Sequence, residues 1–216
     1  MSETNALSAG GKGRKILLQL VVGGICGGVG MFAALTLFEG RSGAEVRPVD
    51  AVAIGTALIY GLMALIVLLG AMAPGIGARA LNVEDREELE EQRSVLVIGA
   101  VSFVLVAALV GVLAAAGTGM IAAVTATLVA AGATLGLIGW SILHRNHGDE
   151  MMRAAAKDAG VATTNLIFLV FGIWAGAAQL GLVPMFEPLL FVAGYFLIYL
   201  LAVFIAVGRR GLLRPR

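Results

Sequence analysis

Ser94 to Leu143 is a run of fifty residues without one Asp, Glu, Lys or Arg. As a helix, rising about 1.5 Å per residue, it would reach roughly 75 Å, more than twice a hydrocarbon core of about 30 Å. A chain that keeps such a run in a bilayer must therefore fold it back and cross twice. The turn is written at Ala114-Ala-Ala-Gly-Thr-Gly119, where Gly117 and Gly119 suit a tight reversal.

Four other charge-free blocks lie between Lys15 and Glu39, Asp50 and Arg79, Asp158 and Glu187, and Glu187 and Arg209. Each is long enough to cross once with modest tilt. The sequence thus predicts an all-α membrane protein, a bundle of six transmembrane helices at about 16–38, 51–73, 95–116, 120–143, 162–183 and 188–208. Residues 1–13 read as a polar tail, 14–208 as the membrane domain and 209–216 as a basic tail. Only 13% of the chain is charged, against about 25% in a soluble domain.

The basic residues orient the bundle. With the N-terminus inside, the inner segments hold thirteen of the fifteen Lys and Arg, and the outer loops hold only Arg41 and Arg47. The positive-inside rule counts these residues rather than net charge, so both termini are expected in the cytoplasm. A signal peptide fits the N-terminus poorly, because the apolar stretch from Ile16 to Phe38 is 23 residues long, against about 7–15 for a signal core. The lone cysteine, Cys26, sits in the first span as a small packing residue.

Two inner loops read as cytoplasmic helical extensions. Asn82 to Arg93 has an N-cap candidate in Asn82 and acids suited to the positive end of a helix dipole. Gly148 to Ala159 has Asp149 as its cap and Arg153 one turn on. Asn82 and Asn146, Asp85 and Asp149, and Gly117 and Gly181 repeat at an offset of 64, a thin hint of a duplicated hairpin.

Chemistry is sparse. No span carries an ionisable residue at its middle, so proton relays and voltage sensing lack their usual support. His144 and His147 sit at the inner boundary with no thiolate partners, which favours a solvated loop over a metal site, and no cofactor or metal is expected. Nothing calls for nucleic acid. Gly23, Gly24, Gly27 and Gly28 lie inside a span rather than in a strand-turn-helix phosphate loop. With Gly132 and Gly136, and Gly172 and Gly176, they form small-xxx-small pairs that let helices approach, within the bundle or between subunits of a homo-oligomer.

Thr125, Thr127, Thr134 and Ser141 make span four small and polar, which predicts an interior helix. Tyr60, Asn165, Tyr195 and Tyr199, with Gln19, are candidates for a polar pocket, and interhelical hydrogen bonding is the plainer role for them. No nucleophile–base pair or metal set marks an enzyme. The residues favour a non-catalytic scaffold or accessory subunit in the lipid bilayer of a bacterial plasma membrane. The acidic run Glu87, Glu88, Glu90 and Glu91 would dock a basic protein partner at the cytoplasmic face, although such a run is commonly just a solvated face. A small permease for an uncharged or lipid-like solute is the alternative.

Overall fold

The computed structural model describes residues 27–40, 43, 46–72, 86–145 and 150–210, with backbone alone at 86–92. Gln19, Gly23, Gly24, Cys26, Asn82, Asn146, His147 and Asp149 lie outside these residues. The chain divides into two compact units, Met1–Glu45 and Val46–Arg216. Among the described residues there are helices and turns and no strand.

The first unit shows one apolar helix, α1 (Gly27–Gly40). Val29, Phe32 and Leu37 are exposed along it. Thr36, its one hydroxyl residue, donates back to the Ala33 carbonyl at 2.9 Å. Such back-bonding lets a polar side chain sit on an apolar helix without an outside partner.

The second unit holds five helices long and apolar enough to cross a membrane: α2 (Pro48–Met72), α3 (Arg86–Gly117), α4 (Ala123–His144), α5 (Glu150–Gln179) and α6 (Pro188–Arg209). Pro48 and Pro188 open α2 and α6, where a fixed φ and a missing N–H cost nothing. Asp50 occupies the first turn of α2, where the helix dipole favours an acid. At 32 and 30 residues, α3 and α5 are about 48 and 45 Å long, so each outruns a hydrocarbon core. The expected extension of span three is thus the continuous first turns of α3.

Both long helices end in the same way. Gly119 and Gly181 adopt φ of 76° and 73°. Gly119 N–H donates to the Ala116 carbonyl and Met120 N–H to Ala115, while Gly181 donates to Ala178 and Leu182 to Ala177. These are Schellman caps, which satisfy the last carbonyls and need a left-handed residue that glycine supplies without strain. The two hairpins then continue into helices of 22 residues each. The matching glycines are therefore Gly119 and Gly181, not the Gly117 and Gly181 of the sequence offset.

In this unit α2, α3 and α6 pack on one another, α4 packs on α3, and α5 packs on α6. The contacts use small side chains: Ala53, Ala100, Ala114, Ala193 and Ala202 are fully buried, as expected where close backbone approach replaces a hydrophobic driving force. Leu128, Leu135, Leu143, Phe168 and Ile173 are all more than half exposed. Apolar exposure on this scale does not suit water. It suits lipid, and the chain is a multi-pass membrane protein.

Span four departs from its expected interior place. Only Ala126 and Ala133 of α4 are buried, and among the described residues of the unit the helix packs chiefly on α3. Thr127 and Thr134 donate to the carbonyls of Ala123 and Ala130, each at 2.8 Å. With those two hydroxyls satisfied internally, the helix needs no interior partner for them.

Candidate functional site

A polar cluster lies where α2 and α6 begin and α3 ends. Arg47 precedes α2 and reaches forward to Asp50, donating from Nε to Oδ2 at 2.7 Å and from Nη2 to Oδ1 at 3.0 Å. Its third nitrogen, Nη1, donates to Glu187 Oε2 at 3.0 Å. Glu187 sits just before Pro188, so one guanidinium joins the starts of α2 and α6. A two-pronged pairing of this kind fixes geometry as well as charge. Asp50 is 1% exposed, whereas the Arg47 and Glu187 side chains are half exposed. The hydrogen bond and charge of Asp50 hold the Arg47 guanidinium above its ordinary value, against some desolvation and with a smaller push from Glu187.

Gly117 completes the cluster. A Cβ there would collide with Asp50 Oδ1 and stand 3.2 Å from Arg47 Nη2. The last residue of α3 therefore has to be glycine for the carboxylate to occupy its position. From the sequence, Gly117 belongs to a turn and Asp50 is a charge at a span boundary. The Arg47/Asp50 spacing of three was readable, but the contact with Gly117 spans 67 positions and leaves no local signal.

Below this cluster Tyr60 is 2% exposed. Its hydroxyl donates to the Phe196 carbonyl at 2.8 Å, and its ring meets Phe103 and Phe196 edge-on at 5.8 and 5.9 Å. It ties α2, α3 and α6 together. Of the other pocket candidates, Tyr199 is half-buried and Tyr195 and Asn165 are exposed. Asn165 makes no hydrogen bond to the described residues, whereas its neighbours Thr163 and Thr164 donate to the carbonyls of Ala159 and Gly160 at 2.7 and 3.0 Å.

The α5–α6 pair contains a feature that the sequence did not announce. Phe168–Gly172 is a π-helical turn inside α5. Phe171 is buried on that turn and sits against Gly194 of α6, where an added Cβ would lie 2.6 Å from its Cζ. Phe186 and Phe191 close around the ring edge-on at 5.2 and 5.1 Å. Trp174 packs on Phe186 and donates from its indole to the Pro184 carbonyl at 2.9 Å. Toward the other end Ala159, Ala202 and Ala206 cluster, and Arg210 donates to Asp158 at 2.5 Å. These contacts set an antiparallel register that puts Asn165 and Tyr199 at about the same depth.

The glycines called from spacing divide unevenly. Gly136 has the Leu105 side chain 3.5 Å from its Cβ position. At Gly27, Gly28, Gly132 and Gly176 nothing lies within 4 Å, and at Gly172 only Phe168 of its own helix does. The close approaches are at Gly117 and Gly194, with Gly111 against Ala57 at 3.4 Å and Gly61 against Ala107 at 3.9 Å. Glu87, Glu88, Glu90 and Glu91 lie on the first turns of α3, with their side chains outside the described residues. Trp140 donates to the Ile98 carbonyl at 3.1 Å and packs on His144. Among the described residues no three His, Cys, Asp or Glu side chains are grouped as metal ligands would be.

No known protein family, characterised protein or solved structure matches the chain. The class follows from the fold alone: a helical multi-pass membrane protein.

Proposed function

We propose that this chain is a non-catalytic assembly subunit of a membrane, a scaffold or accessory protein that docks other helices. The observation behind the reading is surface that the described helices of the second unit leave uncovered. Gly132 and Gly139 on α4 and Gly176 on α5 are exposed with nothing within 4 Å of their Cβ positions, and Gly172 has only Phe168 of its own helix there. Small residues on a lipid-facing side suit the approach of another helix. The topology proposed with it has six spans, the first formed by residues 16–38, and both termini in the cytoplasm. That places Asp158 and Arg210 at the inner face and Arg47, Asp50 and Glu187 at the outer face. The acidic start of α3 would then offer a second, soluble docking surface.

Purification in mild detergent followed by mass spectrometry tests this reading. A stoichiometric protein partner is expected, and exchanging Glu87, Glu88, Glu90 and Glu91 for Lys should remove a partner held by that surface. Purification of the chain with lipid alone, from several expression levels, would count against it.

A permease for an uncharged or lipid-like solute is the second reading. The shared depth of Asn165 and Tyr199 supports it, because two hydrogen-bonding side chains on paired helices then stand at one level along them. Proteoliposome flux that falls with Tyr199→Phe would favour transport over docking. No flux above empty liposomes across a broad solute panel would dismiss it.

A further inference from the structure

Two side-chain hydrogen bonds join α6 to α2 among the described residues, and they differ in what breaking them leaves behind. Tyr60, 2% exposed, donates to the Phe196 carbonyl, and parting them strands a buried hydroxyl. Arg47 and Glu187 are half exposed, so water can take over both ends of their 3.0 Å hydrogen bond. Asp50 loses nothing when they part. Its two oxygens are held by Nε and Nη2 of Arg47, and Glu187 uses only Nη1. The guanidinium is thus fixed to the start of α2 by two prongs and holds α6 by one. Gly117, by lacking a Cβ, leaves the Asp50 carboxylate its place against α3.

The two contacts lie nine residues apart on α6, about 13 Å along the helix. In that interval the α5–α6 hairpin is stiffened by its own aromatic residues. Phe171 of α5 seats against Gly194, Phe186 and Phe191 close on its ring, and Trp174 donates to the Pro184 carbonyl. Movement at Glu187 therefore carries the tip of the hairpin with it. The other side is packed too closely to follow. The Cβ positions of Gly111 and Gly61 stand 3.4 and 3.9 Å from Ala57 and Ala107, all along the α2–α3 seam.

We propose that Arg47 and Glu187 form a latch at one end of the α2–α6 seam, and that the α5–α6 hairpin swings about the Tyr60–Phe196 contact when the latch releases. The stationary part is α2 with α3, where Asp50 stays paired to Arg47. The lever is charge in water. Salt screens an exposed ion pair and screens a buried one much less, so the Glu187 prong yields before the Asp50 pair does. Release opens the seam from the Arg47 end toward Tyr60. The proposal rests on the packing of the second unit and on neither of the functions proposed above.

Pulsed dipolar spectroscopy between spin labels tests it, on full-length protein in lipid nanodiscs with Cys26→Ser as background. Val52→Cys on α2 with Met185→Cys on the hairpin tip spans the latch. Val52→Cys with Met120→Cys, just past α3, spans the fixed pair, and Ile59→Cys with Tyr195→Cys lies beside the pivot. All five positions are exposed. Glu187→Gln removes the charge and keeps the shape. It should raise the longer-distance fraction of the latch pair about two- to fivefold, the range that exposed ion pairs support. Salt at about 1 M, where screening acts over about 3 Å, should do the same in the parent and add little in Glu187→Gln. The other two pairs should stay as they are. The proposal is overturned if neither Glu187→Gln nor salt changes the latch pair. It is overturned too if the fixed pair broadens with it, since the bundle then loosens as a whole, or if the pivot pair lengthens equally, since α6 then leaves α2 without swinging.

Discussion

The two hairpins α3–α4 and α5–α6 share their local construction and are packed in opposite senses. Each has a long first helix, a glycine in the left-handed region closing a Schellman cap, and a second helix of 22 residues. In the first hairpin the long helix is central and the short one peripheral. In the second the short helix joins the centre and the long one lies outside. The side chains of the short helices account for the difference. α6 brings Phe191, Phe196 and Tyr199 together with Gly194, a relief and a hole, whereas half of α4 is Ala, Gly and Thr and its one large aromatic residue, Trp140, lies toward one end. In lipid no hydrophobic effect pulls helices together, so contact surface decides which one is held.

That comparison breaks most severely at the polar cluster, because Arg47 is what ties the start of α6 to α2. Arg47→Ala leaves the Asp50 carboxylate buried without its partner. Losing one partner of a fully buried pair costs about 3–5 kcal/mol, and the half-exposed position of Arg47 should reduce this to about 2–3 kcal/mol. Gly117→Ala should act through the same carboxylate by pushing it out of place. Equilibrium unfolding in mixed micelles reads both. A loss under 0.5 kcal/mol for Arg47→Ala would show that α6 is held by its aromatic residues alone.

The next largest effect should come from Gly194→Ala. Its Cβ would stand 2.6 Å from the Phe171 ring, and over-packing of this kind costs about 1–3 kcal/mol. Phe171→Leu in the same chain should recover part of the loss by vacating the space, and a double-mutant cycle measures that coupling. Simple additivity would mean that Phe171 does not occupy the Gly194 hole. Tyr60→Phe should cost less, about 1 kcal/mol, since it removes one interhelical hydrogen bond and keeps the ring between Phe103 and Phe196.

The sequence made the helices legible because charge marks their ends. The expected spans 51–73 and 188–208 differ from α2 and α6 by a few residues at most. The first hairpin turn was legible too, since Gly117 and Gly119 mark it, whereas the expected span 162–183 ran through Gly181 and four residues past the end of α5 at Gln179. Packing was not. Gly132 and Gly176 satisfied a spacing rule that is local, yet whether a glycine receives a neighbour depends on a residue far along the chain, as Asp50 does for Gly117 and Phe171 for Gly194. The π-helical turn was hidden for the same reason. Nothing in Phe168-Leu-Val-Phe-Gly172 differs from the apolar runs around it, and its effect is seen only in the aim of Phe171 at α6.

The smallest predicted effect is the sharpest test of the contrast between occupied and open glycines. Gly132→Ala and Gly139→Ala add methyl groups where nothing lies within 4 Å. Alanine is favoured over glycine inside a helix by about 1 kcal/mol in water, and a helix already held by a bilayer should gain less. The pair should therefore leave stability unchanged or raise it slightly, while Gly194→Ala at a similar place in the matching short helix lowers it. Parallel unfolding of the two variants compares one chemical change in two settings. If Gly132→Ala were as damaging as Gly194→Ala, something must lie against α4 in the folded protein. That contact would already be present in the chain purified without the partner proposed to dock there.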